Sequence, residues 1–567
     1  MIRDIKRFFA SQQNLASITL YVLNVLFWVF VAFMLFVSSY GSGQWMQYDY
    51  EHDHHLAFFL FLSGMAAQGI LPGIDFYSPH SVFIPIFNGI FLKIFGINQI
   101  SLAIVVGGVS VFISFVCLYK TARFVMPSLW AKFAVITILF SYNGDDLPWF
   151  NHIFSMFIAI GIYLFAAFIK YKKKWYLIAL GFIIFCLPYL RQQGLVMLSC
   201  FLLIPMILYY INAITQKDYK VVLKYMLCTF LSCNAIFLLF IILRNGFEGL
   251  EILYSSLIPL VSMAQPLQGY PADFGKMVSY ILNYTNNGSS WHNTSIMLYM
   301  SYWMIVILPC IYYAFRPFIL YFGKEAILNE DIIKFITATM ILSTLILNYP
   351  IQEDARMKVH FAAGIWLFID AMYLAIYNKN AKFTSILAIA VIFLFIHNMK
   401  IRQYNEAFKW NFYNKILRTQ QGKIRMPLNT PYAHLLLQKE VALEKISIVE
   451  TLKNYMDKNA DKQIIFDGDI STAGQYLSLI FTKDNVAIAH KFPYYYSLYN
   501  REKFMPDINE KLSDFVNKNK PIILGCKDNY ESPTYNKFAT ITDKVSGYEV
   551  LVNLNQSCDI FIPKGTK

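Results

Sequence analysis

Runs of roughly 18 to 22 apolar residues recur between Ile18 and Ile396, and each is long enough to cross a hydrocarbon core about 30 Å thick as a helix. A bilayer is therefore the expected solvent. Composition agrees: 57% of the 567 residues are hydrophobic and 15% charged, against about a quarter charged in soluble domains. From Ile401 the apolar runs shrink to strand length and charges return. The expected fold class is a polytopic α-helical membrane protein with about eleven transmembrane helices over residues 1–402, followed by a soluble α/β domain at 403–567.

The net charge of +13 is explained by topology and not by nucleic acid. Short cytoplasmic loops collect Lys and Arg. With the amino terminus inside, basic residues gather after alternate spans: Lys120, Arg123 and Lys132; Lys170, Lys172, Lys173 and Lys174; Lys217, Lys220 and Lys224; Arg316 and Lys324; Lys379 and Lys382. No Lys or Arg falls between Arg7 and Lys93. The first span, about Ile18 to Val37, follows Arg3, Lys6 and Arg7 without a small-x-small cleavage site and reads as a retained signal anchor. Leu56–Met65 and Val82–Phe95 are too short to cross comfortably and are assigned as interfacial helices. An odd number of crossings then puts residues 403–567 outside, in the periplasm. The bias to Lys, Asn, Ile, Phe and Tyr suggests a bacterial inner-membrane protein.

On this topology the polar chemistry collects on the outer face. The first outer loop carries Asp49, Glu51, Asp53, His52, His54, His55, Asp75 and His80. A carboxylate partly withdrawn from water beside a hydroxyl can take its proton as a general base; a solvated acidic loop is the plainer account. The His-rich run would also suit a divalent metal, although its spacing matches no dedicated motif. Asp145 and Asp146, before Pro148, form either a turn or a pair that orders a sugar hydroxyl or a metal, and Asp75, His54, His55 and Asp354 are further candidates to bind acceptor, sugar or metal. Arg191 lies between two apolar runs, where a charge is costly unless paired or wet, so it is expected to meet an anion or to reach a lipid headgroup. The segment Tyr349 to His360 brings Asp354, Arg356, Lys358 and His360 together. Guanidinium, ammonium and imidazole would cradle a phosphate there, unless they are ordinary helix-end charges.

Three features resemble the GT-C superfamily of membrane glycosyltransferases, which includes protein O-mannosyltransferases and the lipid A aminoarabinose transferases. The first is the acidic outer loop DYEHDHH (49–55) after an amino-terminal span. The second is QGILPGIDFYSPHSVFIPIFNGIFLKIFG (68–96), similar to the family's G-x-x-P-x-x-D-F, proline-led helix and terminal F-G. The third is YPIQEDARMKVH (349–360), similar to its outer Arg and His motif. The resemblance covers roughly residues 1–400. It implies a polyprenyl-phosphate sugar as donor, transfer at the outer membrane surface, and a membrane-associated glycan, lipid or protein as acceptor. It also implies a phosphate site drawn from Arg191, Arg356, Lys358 and His360. Family members differ in metal dependence, so no cofactor is fixed and a divalent metal stays open. One departure matters: the family's adjacent acid pair is replaced by alternating Asp49, Glu51 and Asp53. Asp53 is chosen as the base because it is closest to the interfacial helix that follows.

In the tail, Lys439 to Asn459 reads as a helix, and QIIFDG, NVAIAH, PIILGC, YEVLVNL and DIFIP as short strands. The eight cysteines show no metal spacing. Six lie in or beside apolar spans, and only Cys526 and Cys558 fall in the tail, where an oxidising compartment would let them pair if they are close enough. A transporter or lipid flippase is the main alternative, with Asp370 as the clearest ionisable group within a span. An O-antigen polymerase or ligase is the other.

Overall fold

The computed structural model describes residues 2–45, 54–76, 81–141, 150–191, 194–257, 306–344, 364–379, 423–425, 436–459, 464–468, 494–495, 508–526, 547–553 and 558–565. Up to residue 379 the described chain is helical apart from short connections: α1 (Ile2–Trp45), α2 (His54–Ala67), α3 (Phe83–Phe95), α4 (Gln99–Ala103), α5 (Ser110–Ala122), α6 (Ser128–Ser141), α7 (Phe150–Tyr171), α8 (Trp175–Leu190), α9 (Gly194–Tyr210), α10 (Gln216–Leu257), α11 (Leu308–Phe322), α12 (Asn329–Thr344) and α13 (Ile365–Tyr377). Among the described residues four helical segments are long and apolar enough to cross a membrane: Ile18–Val37, Gln99–Ala122, His152–Tyr171 and Gln216–Tyr254. Shorter apolar helices accompany them. This is a helical membrane protein. Residues 258–305, 345–363 and 380–422, which include stretches where further crossings are expected, lie outside the described residues.

Burial separates lipid-facing helices from central ones. On α1, Leu20, Leu23, Leu26, Phe30 and Phe33 are exposed while Val31 and Leu35 are buried, as expected of a peripheral helix whose outer face meets acyl chains. In α7, by contrast, Phe154, Ile162, Phe165 and Ile169 are fully enclosed. Two apolar clusters result. One joins α2, α3 and α7 to α10 with part of α12; the other joins α1, α5, α6, α11 and α13, and α7 and α12 contribute to both.

Two of the local starts and stops are readable in residue chemistry. The Asn98 side chain caps α4 by accepting from the Ser101 amide at 2.9 Å. Thr215 Oγ1 does the same for α10, accepting from the Asp218 amide at 3.1 Å. The expected second crossing is not one uniform α-helix: Ile104–Val109 forms a π-helical stretch between α4 and α5. There Gly107 lies so close to α1 that a Cβ would come within 2.8 Å of Ser39 Oγ. Both segments expected as interfacial helices are helical, but they are buried differently. α3 is half-buried, with Ile90, Ile94 and Phe95 exposed, whereas Phe59 to Leu62 and Met65 of α2 are enclosed by protein.

After residue 422, β1 (Lys423–Arg425) pairs antiparallel with β2 (Leu436–Gln438). A five-stranded sheet follows in the order β4-β3-β5-β7-β6, with β3 (Ile464–Gly468), β4 (Tyr494–Tyr495), β5 (Ile522–Cys526), β6 (Tyr548–Asn553) and β7 (Cys558–Pro563). β3 is parallel to β4 and β5, and β7 is antiparallel to β5 and β6. Helices α14 (Lys439–Lys458) and α15 (Ile508–Asn519) precede β3 and β5. Ile522, Ile523, Ile560 and Ile562 are buried in the sheet with Val516 of α15 also buried.

Candidate functional site

The stretch Gly69-Ile-Leu-Pro-Gly-Ile-Asp75-Phe folds into a tight loop whose spacing has a structural reason. Asp75 reaches back four residues, its Oδ2 accepting from the Leu71 amide at 2.6 Å. The Gly73 amide donates to Phe76 O at 2.9 Å. Gly73 has φ +73°, and a Cβ there would come within 2.8 Å of Val82 Cγ2. Only glycine meets both demands without strain.

This loop is bolted to the far end of α10. Arg244 Nε donates to Asp75 Oδ1 and Arg244 Nη2 to Oδ2, both at 2.6 Å, the bidentate fork that guanidinium and carboxylate favour. Arg244 Nη2 also donates to Gly69 O at 2.6 Å. Asn245 Nδ2 donates to Ile74 O at 2.8 Å and to Asp75 Oδ1 at 2.9 Å. Burial opposes the charge on Asp75, but Arg244, the Leu71 amide and Asn245 together outweigh it and hold the carboxyl below the usual carboxylate range. α10 breaks immediately afterwards, at Gly246 (φ 64°, ψ −155°). The segment beyond packs Ile252, Leu253 and Ser256 inward while Phe247 and Tyr254 stay exposed. Ser256 Cβ lies 3.5 Å from where a Gly73 Cβ would be, so this segment covers the loop.

Arg191 belongs to the same end of the bundle. The Val82 amide, just before α3, donates to Tyr189 O at 3.0 Å, which ties the loop's exit to the end of α8. Arg191 then leaves the helix in extended conformation (φ −161°, ψ 145°) and is half-buried. The Gly194 amide donates to Arg191 O at 2.8 Å, closing the turn into α9. A Cβ on Gly194 would sit 2.0 Å from Leu187 O, so the turn that presents Arg191 requires glycine. The opposite end of α10 carries the lysine-rich turns, where Lys172 meets Asp218 at 2.9 Å. Asp75, Arg191 and Arg244 are thus gathered at one end and the lysines of α7 and α10 at the other.

Two polar features lie within the bundle. His152 on α7 is buried and hydrogen-bonds the backbone of Val106 inside the π-helical stretch; such stretches leave the regular ladder and recur at functional sites. Asp370 on α13 is wholly buried, with Oδ2 2.7 Å from Lys334 Nζ and accepting from Tyr313 Oη at 2.6 Å.

Of the sequence-derived site residues, Asp49, Glu51, Asp53, Asp145, Asp146, Asp354, Arg356, Lys358 and His360 lie outside the described residues. His54 and His55 open α2. Asp75, expected to touch sugar or metal, already has both oxygens engaged by protein donors. Among the described residues no three His, Cys, Asp or Glu side chains converge as a metal set. Arg244 and Asn245 are additions that sequence reading missed. Their signal is Arg-Asn-Gly closing an apolar run, which reads as a helix stop.

No family model and no curated protein sequence matches this chain. Solved structures do resemble it. ArnT from Cupriavidus metallidurans bound to undecaprenyl phosphate aligns at TM-score 0.48 and 10% identity, over 95% of this chain and 97% of that one. The Archaeoglobus fulgidus oligosaccharyltransferase in the apo form gives TM-score 0.46 and 10% identity, over 88% of this chain and 69% of that one. The archaeal oligosaccharyltransferase AglB from Archaeoglobus fulgidus, in complex with an inhibitory peptide and a dolichol-phosphate, gives 0.44 and 11%, over 83% and 65%. ArnT and AglB are GT-C glycosyltransferases.

Proposed function

We propose that this chain is a membrane glycosyltransferase that moves a sugar from a polyprenyl-phosphate-linked donor to a lipid, glycan or protein acceptor at the outer face of a bacterial inner membrane. The observation that carries the reading is the built loop end. The G-x-x-P-x-x-D-F stretch, which resembles a motif of such enzymes, is locked onto α10 by Arg244 and tied to the α8 end that bears Arg191. A half-buried arginine between two apolar helices suits a phosphate arriving sideways from the bilayer.

In this reading Arg191, with Arg356, Lys358 and His360, holds the donor phosphate. Asp53 takes the proton of the acceptor hydroxyl as its oxygen bonds to the anomeric carbon. The bond from that carbon to the phosphate oxygen breaks, and its electron pair leaves on the phosphate. Because cations stabilise that leaving anion, no general acid is needed. Asp49 and Glu51 are the alternative bases. Asp145, Asp146, Asp354, His54 and His55 are the candidates to order sugar, acceptor or a divalent metal in this reading, and Asp75 serves as a positioning residue. Transport is the weaker reading, because Asp370, the acid a pathway would use, is wholly enclosed with Lys334 and Tyr313.

The test is incubation of purified full-length protein in proteoliposomes with polyprenyl-phosphate sugars labelled in the sugar, plus membrane glycolipids. Wild type should label an acceptor, and Asp53→Asn should lose about 100-fold or more of the rate. Equal transfer by both proteins removes Asp53 as the base. Solute uptake into the vesicles without any labelled product favours transport.

A further inference from the structure

Cys117, Cys186, Cys200, Cys228, Cys233 and Cys310 are free thiols of the helical region. Cys526 and Cys558 are the only cysteines after residue 400, and they stand directly opposite each other in the sheet: Cys526 ends β5, Cys558 opens β7, and the two are Cα partners in an antiparallel ladder. Directly opposite residues of such a ladder share a sheet face with Cα atoms about 4.5 or 5.5 Å apart. Both spacings fall inside the window of about 4.4 to 6.8 Å that a disulfide needs. Chance pairing of the only two cysteines in a long tail, across strands separated by the excursion through β6, is a poor account of that register.

We propose that Cys526 and Cys558 form a disulfide that staples β5 to β7. The inference rests on the reading that residues 403–567 lie on the oxidising side of the membrane, since cytosolic thiol pools keep such pairs reduced. The bond would sit at the seam where the sheet changes from parallel to antiparallel pairing. β5 is the last strand of the parallel half and β7 the first of the antiparallel half, and the chain between them supplies β6. In the reaction two thiolates join as one S–S bond after losing their protons. The two electrons pass to the disulfide of a thiol oxidoreductase, which becomes a dithiol.

The test counts thiols. Full-length protein in native membranes is acid-quenched, denatured and labelled with a maleimide-polyethylene glycol, with and without prior reduction. Of eight cysteines, six should label before reduction and eight after, and Cys526→Ser should give seven in both. Protease accessibility of the tail in right-side-out vesicles reports its side independently. If eight label without reduction, the solubilised protein is treated with oxidised glutathione. Eight labels even then overturn the pairing. Closure to six only with added oxidant overturns the bond in the cell and, if the tail also resists outside protease, the outer placement with it.

Discussion

Among the acid–cation pairs of the described helices, two solve the same electrostatic problem in opposite ways. At the loop end, Asp75 and Arg244 are partly open, with side chains 10% and 36% exposed, and backbone and amide donors complete the carboxylate's partners. Inside the bundle, Asp370 and Lys334 are 0% and 6% exposed. There only one carboxylate oxygen is served: among the described residues Asp370 Oδ1 and, one turn earlier on α13, Trp366 Nε1 have no hydrogen-bond partner. A charge that can reach water needs its partner for position. One that cannot needs its partner to be tolerated at all.

That contrast is open to measurement. The largest effect is expected inside: Lys334→Met strands the Asp370 charge and should cost about 3 to 5 kcal/mol, whereas Lys334→Met with Asp370→Leu, which removes both charges, should recover most of it. Unfolding of the detergent-solubilised proteins reads both values, and a double variant as damaged as the single would break the comparison. At the loop end, Arg244→Ala should cost about 1 to 3 kcal/mol, because the Leu71 amide and Asn245 still serve Asp75. Hydrogen exchange should show lost protection over residues 69–76 while α7 is unchanged; protection lost equally in α7 would mean the clamp is not local.

The smallest effect is in pH. The folded carboxyl of Asp75 titrates below its ordinary value, so its stabilising contribution is complete at neutral pH. It is lost only as pH falls beneath about 3.9 and on through the depressed folded value. Protection of the loop should therefore be flat from pH 7 to pH 5. A decline within that interval would mean that a different group governs the loop.

Much of the helical framework was legible because lipid-spanning length and apolar composition leave few alternatives. α14 matches its expected residues, and β3, β5, β6 and β7 fall on four of the expected runs; NVAIAH lies outside the described residues. The glycines and the aspartate of the 69–76 loop were visible as a motif, but their purpose was not. Asp75 looked like a ligand-binding acid because its partner, Arg244, lies 169 residues away. Likewise Asp370 stood out as the clearest ionisable group within a span, but its partners Lys334 and Tyr313 come from two other helices. The π-helical stretch at Ile104–Val109 was equally hidden, since the apolar pattern of Ile100 to Leu118 does not reveal a locally widened turn.

Local chemistry by itself determined where the chain turns apolar, where its lysines cluster, and where helices start and stop, because those depend on neighbours within a few residues. Which acid meets which cation, and which two cysteines share a ladder position, was decided only by the tertiary structure. Electrostatic pairing and strand register are properties of distance in space, and nothing in a linear pattern measures the spatial separation of residues that lie far apart along the chain.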